Sequence, residues 1–173
     1  MDDPETARKP PPYPPPQAGE GRVGDVPEGA RHDCDLYSWA VEQAALLRAG
    51  RLAEVDALNL AEEIDDVGNE QYDKLESAIR VILLHLLKWD HQPKRRSRSW
   101  WLSIQVQRNK VGKVLRKNPG LKPHIDEAVA ESYADARLQA AVQMHLDEEN
   151  IPLRCPYSWN EIMERPIRWP PAD

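Results

Sequence analysis

Cysteine is nearly absent: Cys34 and Cys155 are the only two in 173 residues, far apart and without a CxxC spacing. That argues against a zinc ribbon or a disulfide scaffold and fits a reducing cytoplasm. Long apolar runs are missing as well. The longest, Val81 to Leu87, contains His85 and is far shorter than the roughly 20 residues a membrane span needs. The N-terminus opens on acids and prolines with no apolar h-region, so no secretory signal is visible. No convincing alternating strand, no repeat of solenoid length, no P-loop, no dinucleotide fingerprint and no Ser-His-Asp or Cys-His arrangement is present. These absences predict a soluble cytoplasmic protein with no membrane association.

Charge is plentiful but uneven. The net charge is -6, yet Lys88 to Lys117 holds ten Lys or Arg against one acid, Asp90, so this block carries +9 and the remainder -15. A field divided in this way can hold an anionic partner on one face while the whole chain stays acidic.

Met1 to Arg31 contains eight of the sixteen prolines and four of the eight glycines. Such a segment cannot bury enough apolar surface to offset its ordering entropy, so residues 1–31 read as a disordered arm. Pro10-Pro11-Pro12-Tyr13 within it also fits a proline-rich recognition motif. Structure is expected to begin at Asp33 or Asp35, either of which can cap a helix with Leu36, Trp39, Ala40, Gln43, Ala44 and Leu47 on its apolar face. Gly50 stops it. From Leu52 to Trp89 helical spacing recurs at Leu60, Ile64, Val67, Gln71, Leu75, Ala78 and Ile82. Gly68-Asn69 interrupts that run, and the expectation adopted is two helices with a tight turn there.

Helix fails through Asp90-His91-Gln92-Pro93, because proline restricts the residue before it and cannot continue the hydrogen-bond ladder. Ser97 or Ser99 caps the next helix, with Trp100, Ile104, Val111, Val114 and Leu115 inward and Arg108, Lys110, Lys113 and Arg116 outward or sideways. Asn118-Pro119-Gly120 ends it. A further helix spans about Pro123 to Glu149 through Ile125, Ala128, Val129, Tyr133, Ala136, Ala140 and Met144. A capping-box signature follows at Ser158 to Glu161, then a proline-rich exit. The fold class is therefore all-α: a single-domain bundle of about five helices over 32–165, with a tail at 166–173.

Asp35-Leu-Tyr-Ser-Trp39-Ala-Val-Glu42-Gln43, Leu46-Leu47-Arg48-Ala-Gly50-Arg51, Asn59-Leu60-Ala61-Glu62-Glu63-Ile64, His85-Leu86-Leu87-Lys88-Trp89 and Ser97-Arg98-Ser99-Trp100 stand in order along the chain. Together they resemble a bacterial family known as domain of unknown function twenty-nine, from about Asp33 to Ile162. The resemblance implies an α-helical, cytoplasmic, bacterial protein. It carries no catalytic residues across and leaves the proline-rich arm unexplained.

Two sets of residues carry candidate chemistry. Glu62, Glu63 and Asp66 lie at i,i+3 and i,i+4 spacing, so their carboxylates can converge as Mg²⁺ or Mn²⁺ ligands, with Glu70, Asp73 and Glu76 as a second acidic group. The segment is similar to the ExxD spacing of helical nucleotide pyrophosphohydrolases; the alternative is a solvated acidic face paired with Lys74 or Arg80. His85 cannot join that site along one straight helix, since 22 residues from Glu63 at 1.5 Å each is about 33 Å. A shared site needs a second subunit, hence a homodimer, or Glu42. Otherwise His85 is a core histidine bonded to Glu42 or Asp56, and Lys88 packs its stem along the apolar face.

The other set is Lys94-Arg95-Arg96-Ser97-Arg98-Ser99-Trp100-Trp101, with Arg108 further on. Guanidinium groups bind phosphate and indoles stack on bases, so Arg95, Arg96, Arg98, Trp100 and Arg108 are candidate anion-binding residues for nucleic acid or a nucleotide. Structural ion pairing is the competing role. An interaction module that binds an anion through this segment is the preferred reading, and a Mg- or Mn-dependent phosphohydrolase or nuclease the alternative. Whether the chain is an enzyme stays open from sequence.

Overall fold

The structure, a computed structural model, describes residues 32–170. The arm expected over 1–31 and the last three residues of the tail lie outside the described residues. Five α-helices follow one another: α1 (Leu36–Arg48), α2 (Ala57–His91), α3 (Arg98–Lys117), α4 (Ile125–Met144) and α5 (Trp159–Glu164), joined partly through short 3-10 turns. No strand occurs among the described residues, so the chain is all-α. None of these helices is long and apolar enough to cross a membrane.

The chain divides into two units, ending and beginning at Asp56 and Ala57. In the first, Asp35 is the residue that caps α1, its Oδ1 accepting from the Ser38 amide at 3.0 Å. Trp39, Gln43 and Leu46 form the buried line of α1. The Trp39 indole donates to Asp56 Oδ2 (3.3 Å), and the Asp56 amide donates to Gln43 Oε1 (2.8 Å). Gly50, at φ +71°, supplies the left-handed turn after the helix, a conformation open to glycine at little cost.

The second unit is built on α2, and here the expected turn at Gly68-Asn69 is overturned. Ala57–His91 is one unbroken helix of 35 residues. The physical reason is the apolar stripe: Leu60, Ile64, Val67, Gln71, Leu75, Ala78 and Ile82 keep helical register straight through Gly68. A single glycine costs a helix only about 1 kcal/mol, too little to break one whose second half is held by packing. Leu75, Ile79, Ile82, Leu83, Leu86 and Leu87 of α2 are fully buried. On one side they meet Ile104, Val111 and Val114 of α3, and on the other Ala128, Tyr133, Ala136, Ala140 and Met144 of α4.

Cross-links fix how α4 lies on α2. Tyr72 Oη donates to Glu131, Ser132 Oγ to the Glu76 carbonyl, and Lys88 Nζ to Gln143. Position rises together on both helices, so α4 runs parallel to α2. Alanine at the contact positions of α4 lets the two backbones approach. Ser97 caps α3, and Ser158 with Glu161 forms the capping box of α5. Ile151, Ile162 and Ile167 seal the end of the core.

The level of Tyr72, whose ring meets His124 edge-on at 6.5 Å, marks where α4 begins beside α2. The residues from Ala57 to Gln71 therefore run on past the start of α4 by about 22 Å, at 1.5 Å each.

Candidate functional site

Of the anion-binding candidates, three are engaged inside the fold. Arg96 turns inward, donating from Nε to the Trp89 carbonyl (2.9 Å) and laying its guanidinium 5.2 Å from the centre of the Trp89 ring. Trp100 is covered by Lys88, whose Nζ lies 4.5 Å from the ring centroid, a cation-π contact. Arg108 grips the C-terminal segment: Nε donates to the Ile162 carbonyl (2.8 Å), Nη1 to that of Arg165 (2.9 Å) and Nη2 to that of Glu161 (3.2 Å). Arg95 and Arg98 are exposed.

His85 is half-buried beside Trp100, with ring centroids 6.5 Å apart. Its Nδ1 is buried without a hydrogen-bond partner. Burial, and then the charge of Lys88, push its pKa down to about 4, so the ring is neutral at physiological pH. Lys88 is itself buried, and donates to Gln143 Oε1 at 2.7 Å. Desolvation, with Arg95 nearby, lowers the pKa of the Lys88 ammonium. Asp56 bonds to the Trp39 indole, and Glu42 stands exposed on α1.

The acidic candidates lie on the projecting part of α2. Glu62 and Asp66 are exposed and Glu63 is half-buried. With α2 continuous, Glu63 and His85 are separated by about 33 Å along the helix and do not meet within one subunit. Among the described residues no three His, Cys, Asp or Glu side chains are placed to hold a metal ion. Further along, Lys74 pairs with Glu70 at 2.8 Å. Burial pushes the Glu76 carboxyl up, as do Glu131, Asp135 and Asp73 around it. Acids thus gather along α2 and α4 while α3 carries none.

A cleft of about 570 Å³ opens between α3 and the segment after α5. Gln105, Arg108, Asn109, Gly112, Lys113 and Arg116 form its floor, all on one face of α3, and Met163 to Ile167 its wall. Arg116 Nη1 lies 3.5 Å from where a Cβ on Gly112 would sit, so the guanidinium lies back along the helix over Gly112. The wall is fixed by polar bonds. Arg165 makes a two-pronged pair with Asp90 (2.8 and 2.6 Å), Tyr157 Oη donates to the same carboxylate (2.9 Å), and Trp101 Nε1 donates to the Ile167 carbonyl (2.9 Å). Burial alone would raise the Asp90 pKa, but the bonds from Arg165 and Tyr157 and the charges of Arg165 and Arg96 outweigh it and hold the carboxyl below its usual value.

Arg165, Gln105 and Asn109 are the lining residues that sequence reasoning missed. Asp90 was the available signal, being the lone acid in a block of ten cations: a single acid there is placed to pair. The sequence places Lys113 and Arg116 outward or sideways, and both are exposed and free of any ion pair to the described residues.

A model of the family described as "Domain of unknown function DUF29" matches residues 32–167. No curated protein and no solved structure gives a match.

Proposed function

We propose that this chain, which belongs to the DUF29 family of unknown function, is a helical module that binds nucleic acid along α3. One observation carries the reading. From Lys94 to Lys117 there is no acid, and of the nine cations in that stretch only Arg96 and Arg108 are engaged inside the fold. Lys94, Arg95 and Arg98 stand at one end of α3, and Lys110, Lys113, Arg116 and Lys117 at the other.

The spread of these charges selects the ligand. A helix of 20 residues is about 30 Å long, which outspans a single nucleotide and suits a strand with several phosphates. The cleft beside Lys113 and Arg116 takes one of them. Lys88 covers one face of the Trp100 ring, and both Trp100 and Trp101 are packed against the core, so neither indole stands out as a stacking platform. Recognition then runs through phosphate rather than base edges, and is tolerant of sequence.

Fluorescence anisotropy with a labelled single strand of about 20 nucleotides tests this. Engaging about five phosphates gives a log-log salt slope of about -3.5. Lys113→Glu with Arg116→Glu, and separately Arg95→Glu with Arg98→Glu, should each lower affinity by roughly tenfold or more. Binding that is absent, indifferent to salt, or unchanged in both double variants refutes the reading.

A further inference from the structure

The projecting part of α2 presents an exposed apolar face. Ile64 and Val67 are 63 % and 64 % exposed, although they stand in line with Leu75, Ala78 and Ile82, which are fully buried two to five turns on. The core stripe of α2 thus continues beyond the helices that cover it. A stripe of this kind on a helix is a packing surface, and its surroundings restrict what can pack there. Between Arg51 and Lys74 the chain has no Lys or Arg, while Glu62, Glu63, Asp65, Asp66 and Glu70 flank the stripe. Two copies of this stretch would repel one another.

The complementary surface exists on the same chain. The outward face of α3 carries Leu102 and Val106, 42 % and 57 % exposed, along a groove of about 430 Å³ shared with Arg98, Ser99, Ser103 and Gln107. One and two turns further on stand Lys110 and Lys113. Ile64 and Val67 stand at i,i+3 and Leu102 and Val106 at i,i+4, the two kinds of row whose ridges and grooves interlock when helices pack.

We infer that a second copy of this chain is the occupant: the acidic-apolar face of α2 in one copy docks on the basic-apolar groove of α3 in the next. The contact joins two different surfaces, so it is head to tail, and copies either close reciprocally or run on as a chain. Opposite charge sets the pairing and the apolar rows supply the buried area. Because the groove is lined by Arg98 and runs on toward Lys110 and Lys113, all of them on the nucleic-acid ridge, a bound strand and a docked copy exclude one another. The association itself does not depend on nucleic acid binding at all.

Sedimentation velocity of the full chain without nucleic acid is the test, at low salt, with a dissociation constant on the order of 10 μM expected. Asp65→Lys with Glu70→Lys should abolish association, and so should Lys110→Glu with Lys113→Glu. An equal mixture of those two double variants should associate again, since each basic face then meets an acidic one. Ile64→Gln with Val67→Gln should weaken it by tenfold or more while leaving the circular dichroism spectrum intact, because both side chains are exposed. A monomer at every concentration overturns the inference, and points to residues 1–31 or a different protein as the cover. Association that survives either charge reversal, or that mixing fails to restore, overturns it equally.

Discussion

Replacing Gly68 by alanine reads the continuity of α2 directly. Gly68 lies twelve residues into a 35-residue helix, and nothing stands within 4 Å of the position its Cβ would take. No clash and no new packing therefore enters, and the effect reduces to backbone entropy. Alanine in a helix interior is better than glycine by about 0.8–1.0 kcal/mol, so the variant should be more stable. If the projecting turns melt together with the bundle, the gain appears in urea unfolding and as a rise in Tm of about 2–4 °C. If they fray separately, it appears as slower amide exchange around Ile64 to Tyr72, up to about fivefold for 1 kcal/mol. Gly50, at φ +71°, is the internal control: there alanine is forced toward a left-handed conformation and should destabilise by about 1 kcal/mol. A chain that turned back at Gly68 would behave like Gly50. A loss of stability in Gly68→Ala, or no change either globally or in exchange, refutes the continuous helix.

Other perturbations bear on the bundle and its polar bonds. His85 has its pKa depressed from 6.5 to about 4, so as pH falls through that window the unfolded chain takes a proton that the folded one refuses, and stability drops. At about 1.36 kcal/mol per pH unit the limit is about 3 kcal/mol, reduced to about 2 by the solvent that reaches part of the ring. The stability difference between His85→Leu and the parent should therefore grow toward acid between pH 6.5 and 4, and a flat difference in pH-dependent melting refutes it. Arg108→Lys replaces three directed donors by one ammonium, and should cost about 2–3 kcal/mol in urea unfolding; a lysine variant as stable as the parent removes Arg108 as a cap. Asp90, held below its ordinary pKa, contributes stability that is present above about pH 4 and lost as pH falls through the lower folded value. Asp90→Asn should cost about 2 kcal/mol at neutral pH and show a shallower acid limb below pH 4 in a melting series. A limb as steep as the parent's counts against the Arg165 pair.

Local signals were legible and non-local ones were not. Asp35, Ser97 and the Ser158–Glu161 box act within one helical turn, so the sequence around them suffices. The inward positions of α3 and α4 follow from period alone. Gly68 misled because glycine and asparagine are local punctuation, whereas the helix there is carried by a stripe whose buried half lies a turn or more away. The inward bonds of Arg96 and Arg108 leave no mark in the sequence, because their partners are main-chain carbonyls, which every residue has and no residue type announces. Asp90 and Arg165 are 75 positions apart, a separation that charge counting over one block does not reach.

The way the C-terminal segment is held has a consequence for how the sequence can drift. Arg108 binds the carbonyls of Glu161, Ile162 and Arg165, and Trp101 binds that of Ile167. Such bonds are indifferent to the side chains on the segment they hold. Glu161, through its capping box with Ser158, Ile162 and Ile167, through burial, and Arg165, through Asp90, are bound by identity. Intervening Met163, Glu164 and Pro166 face the cleft. A lineage can thus rewrite the wall that meets a ligand, residue by residue, while the grip that keeps the wall in place stays unchanged on α3.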